Sequence, residues 1–314
     1  PEDTALKSVF IPFDIPAVDA MLGGGVPKGR SSLIYGEPGA GKSLLAQLLI
    51  ASCQKRGGFA LFVDAEHTFD SAWASKTGVD TSPEKLLVVR PRSTEQAFDL
   101  ICDAVESIKP DIVVVDSIPA LVPQSIMEAS MEEKDFQGLE PRKITAGIKK
   151  VTLINQSTAV VYINQTRVSF GVIYGNPESL PGGKALRFHS SLFIRVRQGK
   201  WLTTTGDQED FGVHGDTKRI GFVLRLRTEK NKLAPPFQEC ELDFRFTGDV
   251  DGTESLINLA VQRGIIERGG AGYFTLPEIG RVRGLEETKK LLRENHELRE
   301  TIIKEISKRS EVSV

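Results

Sequence analysis

Cysteine is scarce: 314 residues hold three, Cys53, Cys102 and Cys240, far apart and without a C-x-x-C pair. That argues against a disulfide framework or a thiolate zinc site and suits a reducing cytosol. No apolar run approaches the roughly 18 residues of a membrane span, and the N-terminus carries no signal-peptide pattern, so the expected location is cytoplasmic. An excess of one charge is missing too. The 40 Lys and Arg against 42 Asp and Glu leave a net charge of −2, so any polyanion partner needs a local basic surface. Internal repeats and low-complexity tracts are absent. Hydrophobic content of 40% suits a soluble protein with a sizeable core, and the length suits one large domain plus a smaller one. The first residue is Pro1 rather than Met, which reads as a processed or shortened chain with something missing upstream.

What is present begins with Gly36-Glu37-Pro38-Gly39-Ala40-Gly41-Lys42-Ser43, a complete G-x-x-x-x-G-K-[ST] phosphate loop. An apolar run, Ser32 to Tyr35, enters it and a helix-favouring run, Leu44 to Ile50, leaves it. Glycines let backbone N–H groups close around phosphate oxygens, and the helix adds the positive end of its dipole. Lys42 is expected to reach the β- and γ-phosphates of ATP and Ser43 to ligate Mg²⁺.

Further apolar runs follow at Phe59 to Asp64, Leu86 to Val89, Ile112 to Asp116 and Ala159 to Asn164. Between the second and third, Ala97, Leu100, Ile101, Ala104, Val105 and Ile108 share one helical face. Uninterrupted strands separated by helices predict an α/β fold with a mostly parallel sheet covered on both faces. Ligand chemistry then gathers at the carboxyl ends of the strands, where Asp64, Glu66, Asp116 and Gln165 fall. Residues 220–227 and 241–246 alternate as half-exposed antiparallel strands, and residues 247–252 read as a turn-rich linker. A small helical unit follows, with Leu291, Leu298, Ile302 and Ile306 as the buried stripe of its last helix.

Asp116 fits the acid that organises Mg²⁺ in a phosphate-loop ATPase. Glu66 fits a carboxylate that polarises the attacking water; the plain alternative is a surface acid. His67 beside it reads as structural. Gln165 follows a strand, where an amide can sense the γ-phosphate and move the next loop. On its own it is equally an ordinary strand-end residue. From Thr166 to Lys200 six Lys and Arg face the single acid Glu178, amid glycines and bulky residues. That composition suits either a nucleic-acid contact or an ordinary surface loop.

The stretches Val63 to His67, Ile112 to Ser117, Ile163 to Arg167, Gly171 to Glu178, Gly182 to Phe188, Lys230 to Phe237 and Gly264 to Tyr273 carry a resemblance. With the phosphate loop, they make the chain resemble the bacterial RecA recombinase family, or a phage branch of it, over nearly its whole length. The resemblance implies a RecA-type ATPase core over residues 1–250, with a small C-terminal α/β domain over residues 251–314. It implies a DNA-dependent ATPase that forms a helical filament of identical subunits on single-stranded DNA. That filament would exchange strands with homologous duplex DNA in recombination, repair and the response to DNA damage. Residue by residue, it gives Lys42, Ser43 and Asp116 to ATP and Mg²⁺, Glu66 to water, and Gln165 to coupling. Asp70 and Trp73 fall where the family holds adenine. Lys230 and Lys232 match a pair that reaches the neighbouring subunit's ATP. A first DNA-binding loop is implied near residues 126–142, with Arg142 and Lys149 as contacts. A second, over residues 166–187, carries Arg167, Gly171, Val172, Tyr174, Asn176, Gly182, Gly183, Lys184 and Arg187.

The first loop departs from the pattern in its acidity (Glu128, Glu132, Glu133, Asp135), and Trp73 stands in place of a tyrosine. Only 35 residues precede the phosphate loop, without the family's N-terminal docking helix, and the family's acidic tail is missing. The rival expectations are therefore a truncated or regulatory paralogue that does not polymerise, or another ATPase of this fold such as a helicase.

Overall fold

The computed structural model describes residues 9–129, 138–168, 178–182, 185–204 and 218–311. In chain order, β1 (Phe10–Ile11), α1 (Pro16–Leu22) and β2 (Val26–Pro27) lead into β3 (Ser31–Gly36) and α2 (Lys42–Lys55). Next come β4 (Ala60–Asp64), α3 (Ser71–Lys76), β5 (Leu86–Val89), α4 (Thr94–Asp103) and β6 (Ile112–Asp116). Helices α5 (Gln124–Glu128) and α6 (Leu139–Ile154) precede β7 (Ala159–Gln165), the pair β8 (Arg167–Val168) and β9 (Glu178–Ser179), and α7 (Ala185–His189). Two long strands, β10 (Ser190–Thr203) and β11 (Arg219–Asn231), are followed by β12 (Glu239–Arg245) and β13 (Val250–Asp251). The C-terminal part holds α8 (Thr253–Gln262), β14 (Glu267–Arg268), β15 (Tyr273–Leu276), β16 (Gly280–Arg283), α9 (Leu285–Glu294) and α10 (His296–Glu311).

These elements form two compact units. Among the described residues, the first takes in 9–13, 22–129, 138–168, 178–182, 185–198 and 226–239, and the second 14–21, 199–204, 218–225 and 240–311. In the first unit six strands stand in the order β10-β3-β7-β6-β4-β5, every neighbouring pair parallel. Every residue of β3, β4 and β6 is buried, which is why these runs read as continuously apolar rather than alternating. Helices α4 and α6 cover the sheet through Phe98, Ile101, Ile144, Ile148 and Val151. The helical face expected to reach Ile108 ends sooner. A π-helical turn, Ala104–Ile108, widens the last turn, and the extra residue rotates Ile108 into solvent, where it is 55% exposed.

In the second unit, the stretch expected as a linker turns the chain back. Val250 and Asp251 pair with Phe244 and Asp243 in an antiparallel ladder. Residues Leu256 to Ile306 close a core of their own, to which α8, α9, α10 and the β14-β15-β16 sheet contribute. The expected stripe of one last helix is divided between two: Leu298, Ile302 and Ile306 lie on α10, whereas Leu291 lies on α9, half-buried against the same core beside the buried Leu292.

Candidate functional site

The octapeptide Gly36 to Ser43 runs from the last residue of β3 into the first turn of α2. Gly39 and Gly41 hold φ of +74° and +92°, a left-handed region that side chains disfavour. Gly36 is glycine for another reason: a Cβ there would collide with the Val196 carbonyl oxygen of β10. Lys42 is 6% exposed and donates from Nζ to the Glu37 carbonyl at 2.6 Å. Burial holds its ammonium below the usual lysine range, against the pull of the Asp116, Glu66 and Glu37 carboxylates.

Strands β4 and β6 are neighbours with Asp64 opposite Asp116, so the chain leaves both at the same level. Burial pushes the Asp116 carboxyl up to about 6; the Ser43 hydroxyl, donating to it, pulls the other way, while Glu66 adds repulsion. A hydroxyl and a buried carboxylate in contact beside a phosphate loop are hard oxygen donors, and they fit Mg²⁺. Asp64, placed by sequence among the functional strand ends, shapes the backbone. Wholly buried, it accepts from the amides of Thr68 and Phe69 at 2.9 and 3.2 Å and from Arg90 Nε at 3.0 Å. The turn so ordered presents Glu66 and Asp70. Asp70 is exposed and caps α3, accepting from the Trp73 amide at 2.6 Å, and Trp73 is half-buried beside it.

Glu66 is fixed from three sides. Its amide and that of Ala65 donate to the Asp116 carbonyl at 3.2 and 2.9 Å. Its Oε1 accepts from Gln165 Nε2 at 2.8 Å and from the Ser117 hydroxyl. Gln165 thus joins the acid cluster to the end of β7, from which the second expected DNA loop departs. That loop returns on itself: Arg167 pairs with Ser179 and Val168 with Glu178. Asn164, wholly buried, donates to the Pro181 carbonyl at 2.9 Å and ties the two ends of the loop together.

Gly171, Val172, Tyr174, Asn176, Gly183 and Lys184 lie outside the described residues, as do residues 130–137 of the first expected loop. Gly182 is buried, and a Cβ there would press on Ile118, so its place is one of packing. Arg187 is exposed on α7, and Arg142 and Lys149 are exposed two turns apart on α6. Among the described residues neither of those two has an ion-pair partner. The adjacent row, Lys143 and Lys150, is bound to Glu95 and Asp99 of α4, each at 3.2 Å.

Lys230 and Lys232 are far from the phosphate loop of their own chain. Lys230 Nζ donates to the carbonyls of Arg187 and Ser190 at 2.6 and 2.7 Å and lies 5.0 Å over the Phe193 ring. Burial and the charge of Lys232 keep its ammonium below the usual range. Ser190 pairs with Ser31, the entrance of β3, whereas the phosphate loop leaves its exit. Asn231 between them locks the turn: it donates to the Leu22 carbonyl at 2.9 Å and accepts the amides of Leu233 and Ala234 at 2.9 and 3.1 Å. Ser117, Asn164 and Asn231 were all missed as site residues by sequence reasoning. The available signal was a polar residue at the end of an apolar strand, or one held between two cations.

Residues 10–251 match the family profile of the RecA N-terminal domain. The chain is 40% identical over 304 residues to Protein RecA of Thermus thermophilus, across 96% of this chain and 85% of that protein. It is 38% identical over 309 residues to Protein RecA of Thermus aquaticus, across 98% and 87%. It is also 40% identical over 306 residues to Protein RecA of Oleidesulfovibrio alaskensis, across 96% and 83%.

Proposed function

The chain belongs to the RecA family, and from that premise we propose that it is an ATP-dependent homologous recombinase of the cytoplasm. It binds single-stranded DNA as a filament and exchanges strands with a homologous duplex. Lys42 and the loop amides hold the ATP phosphates, Trp73 and Asp70 flank the adenine, and Ser43 with Asp116 hold Mg²⁺. The metal, when bound, spreads the negative charge of the phosphate oxygens. Glu66 orients the attacking water. Lys230 and Lys232 of the next subunit stabilise charge on the γ-phosphate, as arginine fingers do. The loops over residues 126–142 and 166–187 contact DNA through Arg142, Arg167, Arg187 and the residues of the second loop between them, joined by Lys149 further along α6, and residues 251–314 form a separate small domain. The separate core from Leu256 to Ile306 supports that last division.

The observation that carries the reading is the 2.8 Å hydrogen bond from Gln165 to Glu66. It joins the water-orienting carboxylate to the strand that leads into the second DNA loop, so nucleotide state and loop position share one contact. The test is ATP hydrolysis with and without single-stranded DNA over a range of protein concentrations. Strong stimulation by DNA, cooperative in protein, is expected. Hydrolysis indifferent to DNA would turn the assignment toward another ATPase of this fold.

A further inference from the structure

The acid cluster contains a side chain that the proposed chemistry has not used. Ser117 directly follows Asp116, is wholly buried, and donates its hydroxyl hydrogen to Glu66 Oε1. The same oxygen accepts from Gln165 Nε2 at 2.8 Å. Two donors therefore converge on one carboxylate oxygen. The other oxygen, Oε2, has no protein donor among the described residues, so it is the one left to accept a proton from water.

The two donors differ in what holds them. Gln165 is the last residue of β7, half-buried, at the mouth of the second loop. It belongs to a segment that must move if nucleotide and loop communicate. Ser117 sits on the edge of the acid cluster itself, between Asp116, whose carbonyl also holds the Glu66 amide at 3.2 Å, and Ile118, a fully buried core residue. Ser117 lies outside the second loop, in the segment that follows β6.

We infer that Ser117 is the positioning residue of the ATPase site: it keeps Glu66 turned toward the attacking water whether or not Gln165 remains bound to it. This rests on the reading of Glu66 as the water-orienting carboxylate. A carboxylate held by Gln165 alone would lose its orientation whenever the amide turned toward a phosphate. With Ser117 present the amide is free to switch while the base stays in place. Small displacements of a positioned base are expensive in rate, about a hundredfold for roughly 1 Å. They are expected to leave substrate binding little changed, because Ser117 makes no hydrogen bond to the phosphate loop among the described residues.

The test compares steady-state ATP hydrolysis, with saturating single-stranded DNA, of the wild type, Ser117→Ala, Glu66→Gln and the double variant. Ser117→Ala is expected to lower kcat by about 10- to 100-fold with KM for ATP changed by less than about twofold. In the Glu66→Gln background the same substitution is expected to cost nothing further, because Ser117 acts only through Glu66. Ser117→Cys, nearly isosteric with a weaker donor, is expected to fall between wild type and alanine, and it keeps the test open if the alanine variant folds poorly. Unchanged kcat in Ser117→Ala would overturn the inference. So would an equal loss in the Glu66→Gln background, or a KM that moves as far as kcat, since each marks a general lesion of the site. A wild type without ATPase activity, or a Glu66→Gln variant as fast as wild type, would instead overturn the proposed function itself.

Discussion

Lys230→Ala is the most demanding test of the proposed assembly, because the fold separates that lysine from the nucleotide site of its own chain. Lys230 is held at Ser190, whose register partner is Ser31 at the entrance of β3. The phosphate loop begins at Gly36, five residues further along. At about 3.3 Å per residue the strand puts roughly 17 Å between the two ends, well beyond the length of a lysine side chain. If Lys230 stabilises a transition state, that state belongs to a neighbour. Removing one donor to developing charge costs about 10²–10³ in rate, or about 3–4 kcal/mol, so Lys230→Ala alone should lose most DNA-stimulated hydrolysis. Glu66→Gln alone should do the same. Each variant keeps what the other lacks. In a head-to-tail assembly of an equal mixture, about a quarter of interfaces join an intact Glu66 to an intact Lys230. The mixture should therefore recover roughly a quarter of the wild-type rate, read as phosphate release against mixing ratio, with a maximum near equal amounts. Recovery at no ratio would refute action in trans, and Lys230 would then be a clamp on the carbonyls of Arg187 and Ser190.

Three further outcomes follow from single contacts. Lys42→Ala should abolish ATP turnover while the protein still unfolds near the wild-type temperature; normal turnover would remove the loop from the chemistry. Gly36→Ala should destabilise by about 3 kcal/mol, the upper end for overpacking, because its methyl group meets the Val196 carbonyl; a melting temperature within about 2 °C of wild type would contradict this. Asp251→Asn should destabilise by about 1–3 kcal/mol at pH 7. Burial alone would raise the Asp251 carboxyl, but the Thr253 donors and the Arg293 guanidinium outweigh it and hold the carboxyl below its usual range. A depressed folded value gives stability that is present above the unfolded value of about 3.9 and lost as pH falls through the folded one. The gap between wild type and Asp251→Asn in thermal unfolding should thus close below about pH 4; an equal gap at pH 7 and pH 3 would rule the ion pair out as its cause.

The strands were legible because burial on both faces demands runs such as Ile112-Val113-Val114-Val115, which have few other uses in a soluble chain. The phosphate loop was legible because its glycines answer to local constraints, two to backbone angle and one to a carbonyl on the next strand. What could not be read from sequence depends on register between distant segments. Ile108 lies on the right face by counting, but a single widened turn upstream of β6 turns it away. Asp64 and Asp116 look alike in sequence, each an acid closing an apolar run. Only the parallel pairing sets them opposite one another, and only the loop beyond decides which is spent on backbone amides and which instead meets the Ser43 hydroxyl.

The same logic explains why small polar residues were overlooked. Ser117, Asn164 and Asn231 carry no charge and form no motif by themselves, yet each fixes a more conspicuous neighbour. Ser117 holds Glu66, Asn164 closes the loop that begins beside Gln165, and Asn231 sets the turn between two lysines. A site must hold its reacting groups within fractions of an ångström. Long side chains such as Glu, Gln and Lys reach a substrate at the cost of rotamer freedom, which something else must restrain. Short buried donors and acceptors on rigid strand ends provide that restraint. Their positions are therefore set by the three-dimensional reach of the side chains they hold, information that is spread over strands far apart in the chain. Ser117 and Glu66 are separated by 51 positions and Gln165 and Glu66 by 99. No local pattern spans such distances, whereas the parallel sheet brings all three to one edge.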